Sequence, residues 1–117
     1  MKKYTGGCQC GAVRFEMEVE DIKEVLSCNC SRCEKAGWLL TFLPKAQFTL
    51  LSGEDNLTEY RFGDKSIAHL FCKTCGIESF AYGLGKDGTE TVAINVRCVD
   101  NMDVDSLTVK KFDGKSL

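Results

Sequence analysis

The sequence predicts a mainly β fold made of short strands. Residues 12–20 alternate between apolar and polar side chains, with Val13, Phe15 and Met17 on one face, which is the period of a half-buried strand. The other apolar runs are short, rich in β-branched and aromatic residues, and separated by turn-forming residues. No helical periodicity exceeds about two turns, and no repeat of 20–50 residues is present. We therefore expect several small antiparallel sheets and little helix.

The predicted elements follow one another in short steps. A glycine-flanked turn at residues 5–11 precedes the strand of residues 12–20, and Val25-Leu26 begins a short strand. Residues 38–43 form an apolar run that predicts a strand buried on both faces and ended by Pro44. Further predicted elements are one helical turn at 45–47 and strands at 48–51, 57–62, 67–71, 80–82 and 91–96. Residues 104–109 fit either a strand or a short helix.

Length and charge restrict the possible functions. A chain of 117 residues predicts one domain spanning residues 1–117. Its 15 basic and 17 acidic residues give a net charge of -2, so nucleic acid and anionic membranes are not expected partners. The first seven residues lack the apolar run of a signal peptide, and no apolar stretch is long enough to span a bilayer. We expect a cytoplasmic protein.

Eight cysteines in such a chain require an explanation. A reducing cytosol argues against a disulfide framework, and their close spacing favours metal binding. The cysteines occur as Cys8-x-Cys10, Cys28-x-Cys30-x-x-Cys33, Cys72-x-x-Cys75 and the solitary Cys98.

Two of these groups are typical halves of a structural zinc site. Together they supply four thiolates, from Cys8, Cys10, Cys72 and Cys75. A closed site of four thiolates is structural, and it would join segments far apart in a small domain. The spacing alone leaves a second pairing open, in which Cys72 and Cys75 join Cys28 and Cys30.

The remaining three cysteines lie within six positions, at Cys28, Cys30 and Cys33. Three thiols so close cannot all form disulfides with one another, but all can bind one zinc ion and leave one coordination position open. Three anionic sulfurs make zinc a weaker Lewis acid than three neutral histidines would, so binding and ionising an incoming thiol is the expected role. The alternative is a second structural zinc site completed by Cys98 or His69, the only histidine.

The chain resembles the glutathione-dependent formaldehyde-activating enzyme family, which includes centromere-protein-V-like domains. The resemblance covers about residues 4–114. It rests on Gly-Gly-Cys-Gln-Cys-Gly-Ala-Val at 6–13, Cys-Asn-Cys-Ser-Arg-Cys at 28–33, Phe-Cys-Lys-Thr-Cys-Gly-Ile at 71–77, Asn-Val-Arg-Cys-Val-Asp at 95–100 and Phe-Asp-Gly at 112–114.

The resemblance implies a β-tent-type zinc fold of coiled antiparallel sheets. It assigns a structural zinc to Cys8, Cys10, Cys72 and Cys75, and a catalytic zinc to Cys28, Cys30 and Cys33. It also implies a carbon–sulfur lyase that joins glutathione and formaldehyde as S-hydroxymethylglutathione, so the expected partners are a small thiol and a small aldehyde. Arg32 and Arg97 are candidates for binding the carboxylates of glutathione. The alternative is a non-catalytic zinc module that binds a protein or other partner.

Overall fold

The computed structural model describes residues 1–63, 65–85 and 87–116 and confirms the mainly β fold class. The strands are β1 Lys2–Gly7, β2 Arg14–Val19, β3 Glu24–Cys28, β4 Leu40–Pro44, β5 Phe48–Ser52, β6 Leu57–Tyr60, β7 Ala68–Cys72, β8 Glu78–Leu84, β9 Glu90–Asn95 and β10 Thr108–Phe112. The α-helix α1 spans Ser31–Ala36. Short 3₁₀ turns lie at Lys45–Gln47, Glu54–Asn56, Val96–Cys98, Val104–Ser106 and Gly114–Ser116. The helical turn predicted at 45–47 is confirmed.

The strands form two sheets. One has the order β1-β2-β5, and the other has the order β10-β3-β4-β9-β8-β7-β6. Neighbouring strands are antiparallel except β10 and β3, which are parallel and place Phe112 opposite Cys28. This parallel pair brings the late part of the chain beside the three-cysteine segment.

A cluster of aromatic rings joins the two sheets. Phe15 of β2 and Phe48 of β5 stack with centroids 5.6 Å apart, and Phe48 lies 5.0 Å from Phe80 of β8. Phe15 and Phe80 are completely buried, and rings packed in this way stabilise a core by about 1 kcal/mol per pair beyond their burial. The alternation predicted for residues 12–20 therefore places its apolar face in the core.

Helix α1 begins and ends at recognisable caps. The side chain of Cys30 accepts a hydrogen bond from the Cys33 backbone N–H at the start. Gly37 has φ 66° and donates its N–H to the Cys33 carbonyl at 3.0 Å, which is a left-handed C-cap. No helix in the described part of the chain is long and apolar enough to cross a membrane.

Two local predictions differ from the structure. The run at 38–43 is not buried on both faces, because Phe42 is 53% exposed whereas Leu40 and Leu43 are buried. The predicted turn at residues 5–11 is partly strand, because β1 continues to Gly7 by pairing with β2. At residues 5–7, pairing with β2 decides the outcome more than the local sequence does.

Candidate metal centres and the adjoining cavities

Two segments far apart in the sequence build the four-cysteine cluster. Cys8 and Cys10 follow β1, Cys72 ends β7, and Cys75 lies in the turn before β8. Their sulfur atoms all lie within 4.8 Å of one another. The Cys8–Cys10 separation is 3.6 Å and the Cys10–Cys72 separation is 3.7 Å. These separations fit zinc, because four sulfurs at about 2.3 Å from one ion lie about 3.7 Å apart.

Hydrogen-bond donors surround these sulfurs. The backbone N–H groups of Val13 and Thr74 donate to Cys8 and Cys72 at 3.3 and 3.4 Å, and Asn56 Nδ2 donates to Cys72 at 3.4 Å. The backbone N–H of Cys75, helped by that of Thr74, lowers the pKa of Cys72 to about 6 against the opposing effect of burial. These donors favour the thiolate form of Cys72, the form in which cysteine binds metal. The backbone of Ala12 acts in the same direction on Cys10, but burial and the neighbouring thiols outweigh it and raise the pKa of Cys10 to about 11.

One contiguous segment supplies the three-cysteine cluster. Cys28 ends β3, Cys30 caps α1, and Cys33 lies in the first turn of the helix. Their sulfurs lie within 4.8 Å of one another. A local turn thus places three thiols around one point, with no need for a distant strand to supply a ligand.

Backbone donors also reach this cluster. The N–H of Cys30 donates to Cys28 at 3.5 Å, and the N–H of Cys33 donates to Cys30 at 3.4 Å. Burial would raise the pKa of Cys30, but hydrogen bonds, led by the Cys33 N–H, outweigh it and lower that pKa. Burial raises the pKa of Cys33 to about 12. Trp38 Nε1 favours the Cys33 thiolate and so acts to lower that pKa. It makes no hydrogen bond of normal geometry to a described residue.

Neither residue considered as a fourth ligand joins the three-cysteine cluster among the described residues. Cys98 lies 3.9 Å from the backbone carbonyl of Glu78. His69 places Nδ1 2.9 Å from Glu78 Oε2 and is almost fully buried. Within residues 1–63, 65–85 and 87–116, the cluster therefore offers three protein ligands.

The segment after β10 encloses one side of the three-cysteine cluster. Asn29 donates its backbone N–H to the Phe112 carbonyl at 3.2 Å and its Nδ2 to Asp113 Oδ1 at 2.9 Å. The N–H of Lys115 donates to Asn29 Oδ1 at 2.9 Å. Gly114 lies so close that a Cβ there would be 2.5 Å from Cys28 Sγ. We call residues 112–115 the clasp.

A cavity of about 550 Å³ adjoins this cluster. Cys28 and Cys33 lie on its wall with Trp38. Its charged lining residues are Arg97 and Lys111, with Glu34 and Asp113 as the balancing carboxylates. We call this space the tricysteine cavity. Arg97 therefore lines the same cavity as Cys28 and Cys33.

Arg32 lies elsewhere. Its Nη2 donates to Glu78 Oε1 at 2.6 Å, and its guanidinium lies 4.9 Å from the centroid of the Tyr60 ring. It lines a neighbouring cavity of about 600 Å³. Glu78 binds both Arg32 and His69 and was not predicted as a site residue from the sequence. A lone charged residue in the largely apolar run of residues 77–82 is the signal that could have identified it.

The fold and the two thiol clusters define a class: small, mainly β proteins with two cysteine-built candidate metal centres. Residues 3–111 match the family described as "Glutathione-dependent formaldehyde-activating enzyme". Because the match spans most of the sequence, the chain belongs to the glutathione-dependent formaldehyde-activating enzyme family, as its motifs predicted.

A solved structure has a similar fold. The chain is similar to a Rhodobacter sphaeroides protein whose crystal structure was a target of Northeast Structural Genomics. The TM-score is 0.78 at 27% sequence identity, and the match covers 91% of this chain and 99% of that one.

Proposed function

We propose that this protein reversibly forms the carbon–sulfur bond between a small thiol and a small aldehyde, with glutathione and formaldehyde as the first pair to test. The observation that carries the proposal is the position of the three-cysteine cluster on the wall of a cavity that also holds Arg97. The family description points to the same two compounds. The enzyme would be a carbon–sulfur lyase.

The thiol groups fit two zinc ions with different roles. Cys8, Cys10, Cys72 and Cys75 would hold a structural ion in a closed site, and Cys28, Cys30 and Cys33 would hold the second. When bound by three thiolates, zinc has one further coordination position and favours the ionised form of an incoming thiol. The donors to Cys28 and Cys30 stabilise this negatively charged cluster.

The reaction has a simple atom balance. The thiol loses its proton, its sulfur bonds to the carbonyl carbon of the aldehyde, and the carbonyl oxygen gains a proton to become a hydroxyl group. In the reverse direction the same carbon–sulfur bond breaks and the thiol and aldehyde are released. The protein binds the reactants together, which replaces an encounter in solution with a contact of fixed geometry.

The residues of the tricysteine cavity orient the thiol compound. Arg97 binds a carboxylate of the thiol compound, since a guanidinium forms paired hydrogen bonds with a carboxylate. The buried side chains of Trp38 and Leu39 exclude water from one wall. Asn29 positions the cysteine turn through its contacts with the clasp. Arg32, the other candidate for the carboxylates, is held by Glu78 on the wall of the neighbouring cavity.

Two further assignments belong to this proposal. Residues 1–117 act as one domain, and the protein works in the cytoplasm. Reducing conditions there keep cysteines unpaired, as a thiol-built site requires, and all eight cysteines are free thiols in the structure.

Cobalt substitution tests the proposal. Glutathione added to the cobalt-loaded protein should change the visible absorption of the three-cysteine centre, and formaldehyde should then be consumed in a thiol-dependent reaction. Cys28→Ser should abolish both effects, whereas Cys98→Ala should preserve them because Cys98 lies outside both clusters. A spectrum unchanged by glutathione, cysteine and other small thiols, together with no aldehyde turnover, would refute the proposal and favour a non-catalytic zinc module.

A further inference from the structure

A second cavity lies beside the tricysteine cavity and has a different chemistry. Its volume is about 600 Å³. Its walls include Arg32, Lys35, Trp38, Tyr60, Phe62 and Glu78. We call it the aromatic cavity. Among the described lining residues the two cavities share only Trp38, so a ligand could occupy one without contacting the sulfurs.

A series of rings forms one side of the aromatic cavity. Tyr60 and Phe62 stack with centroids 5.9 Å apart and planes 22° apart. Phe62 stacks in turn on His69 at 5.5 Å, and His69 lies 5.8 Å from Trp38. Phe62 is 39% exposed and Tyr60 is 44% exposed. Exposed flat rings in such a series provide a stacking surface for a planar molecule.

Some polar groups of the aromatic cavity already have hydrogen-bond partners within the protein. Glu78 is nearly buried and has both carboxylate oxygens engaged, one by Arg32 Nη2 and the other by His69 Nδ1. Since a carboxylate accepts hydrogen bonds, His69 carries a proton on Nδ1. Glu78 therefore has little capacity left to attract a cation.

Donors and positive charge remain at the cavity. Arg32 Nε is buried and has no hydrogen-bond partner among the described residues. A buried donor without a partner costs about 1–3 kcal/mol, and a ligand oxygen would remove that cost. Lys35 is exposed and forms no ion pair with any residue that the structure describes. Among the charged lining residues, Arg32 and Glu78 offset each other, and Lys35 leaves a net positive charge.

We propose that the aromatic cavity is a second binding site, and that it takes a small planar conjugated carboxylate. The flat body of the ligand packs against the exposed parts of Phe62 and Tyr60, and its carboxylate binds Lys35 and Arg32. The site is separate from the proposed carbon–sulfur chemistry, because the cavity walls do not include Cys28, Cys30 or Cys33. A ligand there contacts Trp38 and could influence the tricysteine cavity through it.

The single tryptophan makes the site measurable. Benzoate titrated into the zinc-loaded full-length protein should quench Trp38 fluorescence with saturation. Cyclohexanecarboxylate keeps the charge but cannot stack, and benzyl alcohol keeps the ring but lacks the charge. Each should bind at least tenfold more weakly than benzoate. Equal binding of all three probes would overturn the proposal.

Matched variants show which of the two cavities binds benzoate. Phe62→Ala and Lys35→Gln alter partly or fully exposed side chains of the aromatic cavity, and each should weaken benzoate binding at least fivefold. Phe42→Ala removes a more exposed ring elsewhere, and Lys111→Gln removes a cation that lines the tricysteine cavity and not the aromatic cavity. Both should leave benzoate binding unchanged. Circular dichroism and zinc content establish that each variant is folded.

Two outcomes would contradict the inference. Weaker binding in Lys111→Gln with normal binding in Phe62→Ala would place benzoate in the tricysteine cavity. Trp38 fluorescence that depends on protein concentration without benzoate, and loses that dependence in Phe62→Ala, would show that a second copy of the chain covers this face.

Discussion

The two cysteine clusters are built in opposite ways. The four-cysteine cluster joins a turn near Cys8 to a turn near Cys72, positions separated by about sixty residues and held by different sheets. The three-cysteine cluster comes from a single stretch of six residues. An ion in the first cluster can bind all its ligands only when the chain is folded. An ion in the second finds its ligands close together even in the unfolded chain.

Because of this difference, we expect one cluster to contribute mainly to stability and the other mainly to activity. A ligand stabilises a fold only as far as it prefers the folded state, and metal binding to unfolded cysteines reduces that effect. The four-cysteine cluster should therefore contribute more to folding. The three-cysteine cluster, which lies on a cavity wall, should contribute more to chemistry.

The largest expected effect is that of Cys72→Ser. Cys72 is 1% exposed and packs in the main core, and loss of its thiolate should release the ion that joins the two segments. The free energy of unfolding should fall by about 4 kcal/mol or more. Urea denaturation in the presence of zinc measures the loss. Cys98→Ala is the control, with an expected loss of about 1 kcal/mol. Equal losses of stability in the two variants would show that the four-cysteine cluster has no special structural role.

Cys28→Ser should show most clearly that the two clusters have different roles. We expect the bound zinc to fall by one equivalent per chain and activity to disappear. The loss of stability should be smaller than that of Cys72→Ser by at least about 2 kcal/mol, because the three-cysteine segment keeps its ligands close together when unfolded. Metal analysis and urea denaturation of the same samples test this. A loss of stability as large as that of Cys72→Ser would show that the two clusters do not differ as described.

Gly114→Ala tests the clasp. The added Cβ would lie 2.5 Å from Cys28 Sγ, so the thiol or the clasp must move. Zinc affinity at the three-cysteine cluster should fall about tenfold, as for other groups that orient metal ligands, while the four-cysteine cluster keeps its ion. A chelator competition measures both sites. Gly83→Ala is the control, because its Cβ would be no closer than 3.5 Å to a flexible side chain; an equal change in both variants would reject the clasp.

The smallest effect concerns Asp100, which binds Arg14 beside the four-cysteine turn. The Arg14 guanidinium, followed by the Thr5 hydroxyl, lowers the pKa of Asp100. The folded pKa is below the unfolded pKa, so the stabilisation is complete above the unfolded pKa and is lost as the pH falls through the folded one. Asp100→Asn should cost below about 1 kcal/mol at neutral pH, because the pair is partly exposed.

The pH dependence of that difference provides the check. The difference in the free energy of unfolding between wild type and Asp100→Asn should be the same at pH 7 and pH 5. It should shrink at lower pH, as Asp100 becomes protonated. Protonation of the cysteines affects both proteins alike. A gap that stays constant at low pH would show that the Asp100 charge is not responsible.

The sequence predicted the elements that carry strong periodicity. Residues 12–20 were identified because Phe15 and Met17 alternate with charged residues, and both are buried in β2. Strand β1 was missed because its sequence, Lys-Lys-Tyr-Thr-Gly-Gly, has no apolar alternation. Pairing with β2 makes it a strand. Helix α1 was missed because six residues are too few to show a period, and its caps at Cys30 and Gly37 determine it.

The cysteine spacing predicted metal-binding thiol clusters but left the partners of Cys72 and Cys75 open, and the family resemblance assigned them to Cys8 and Cys10, as the structure groups them. Which side of the three-cysteine turn Arg32 and Arg97 face could not be predicted. That depends on Glu78, which holds Arg32, and on pairing between strands that are distant in the sequence. The clasp was also beyond the sequence, since only the parallel pairing of β10 with β3 brings Gly114 to Cys28.

The position of the clasp in the sequence also affects the order in which the two clusters can be completed during synthesis. A ribosome makes the chain from its amino end, so every ligand of the four-cysteine cluster exists once Cys75 has been made. The residues that hold Asn29 come only afterwards, up to Lys115. A nascent chain therefore has all seven cysteines of the two clusters before the clasp residues that hold Asn29 have been made.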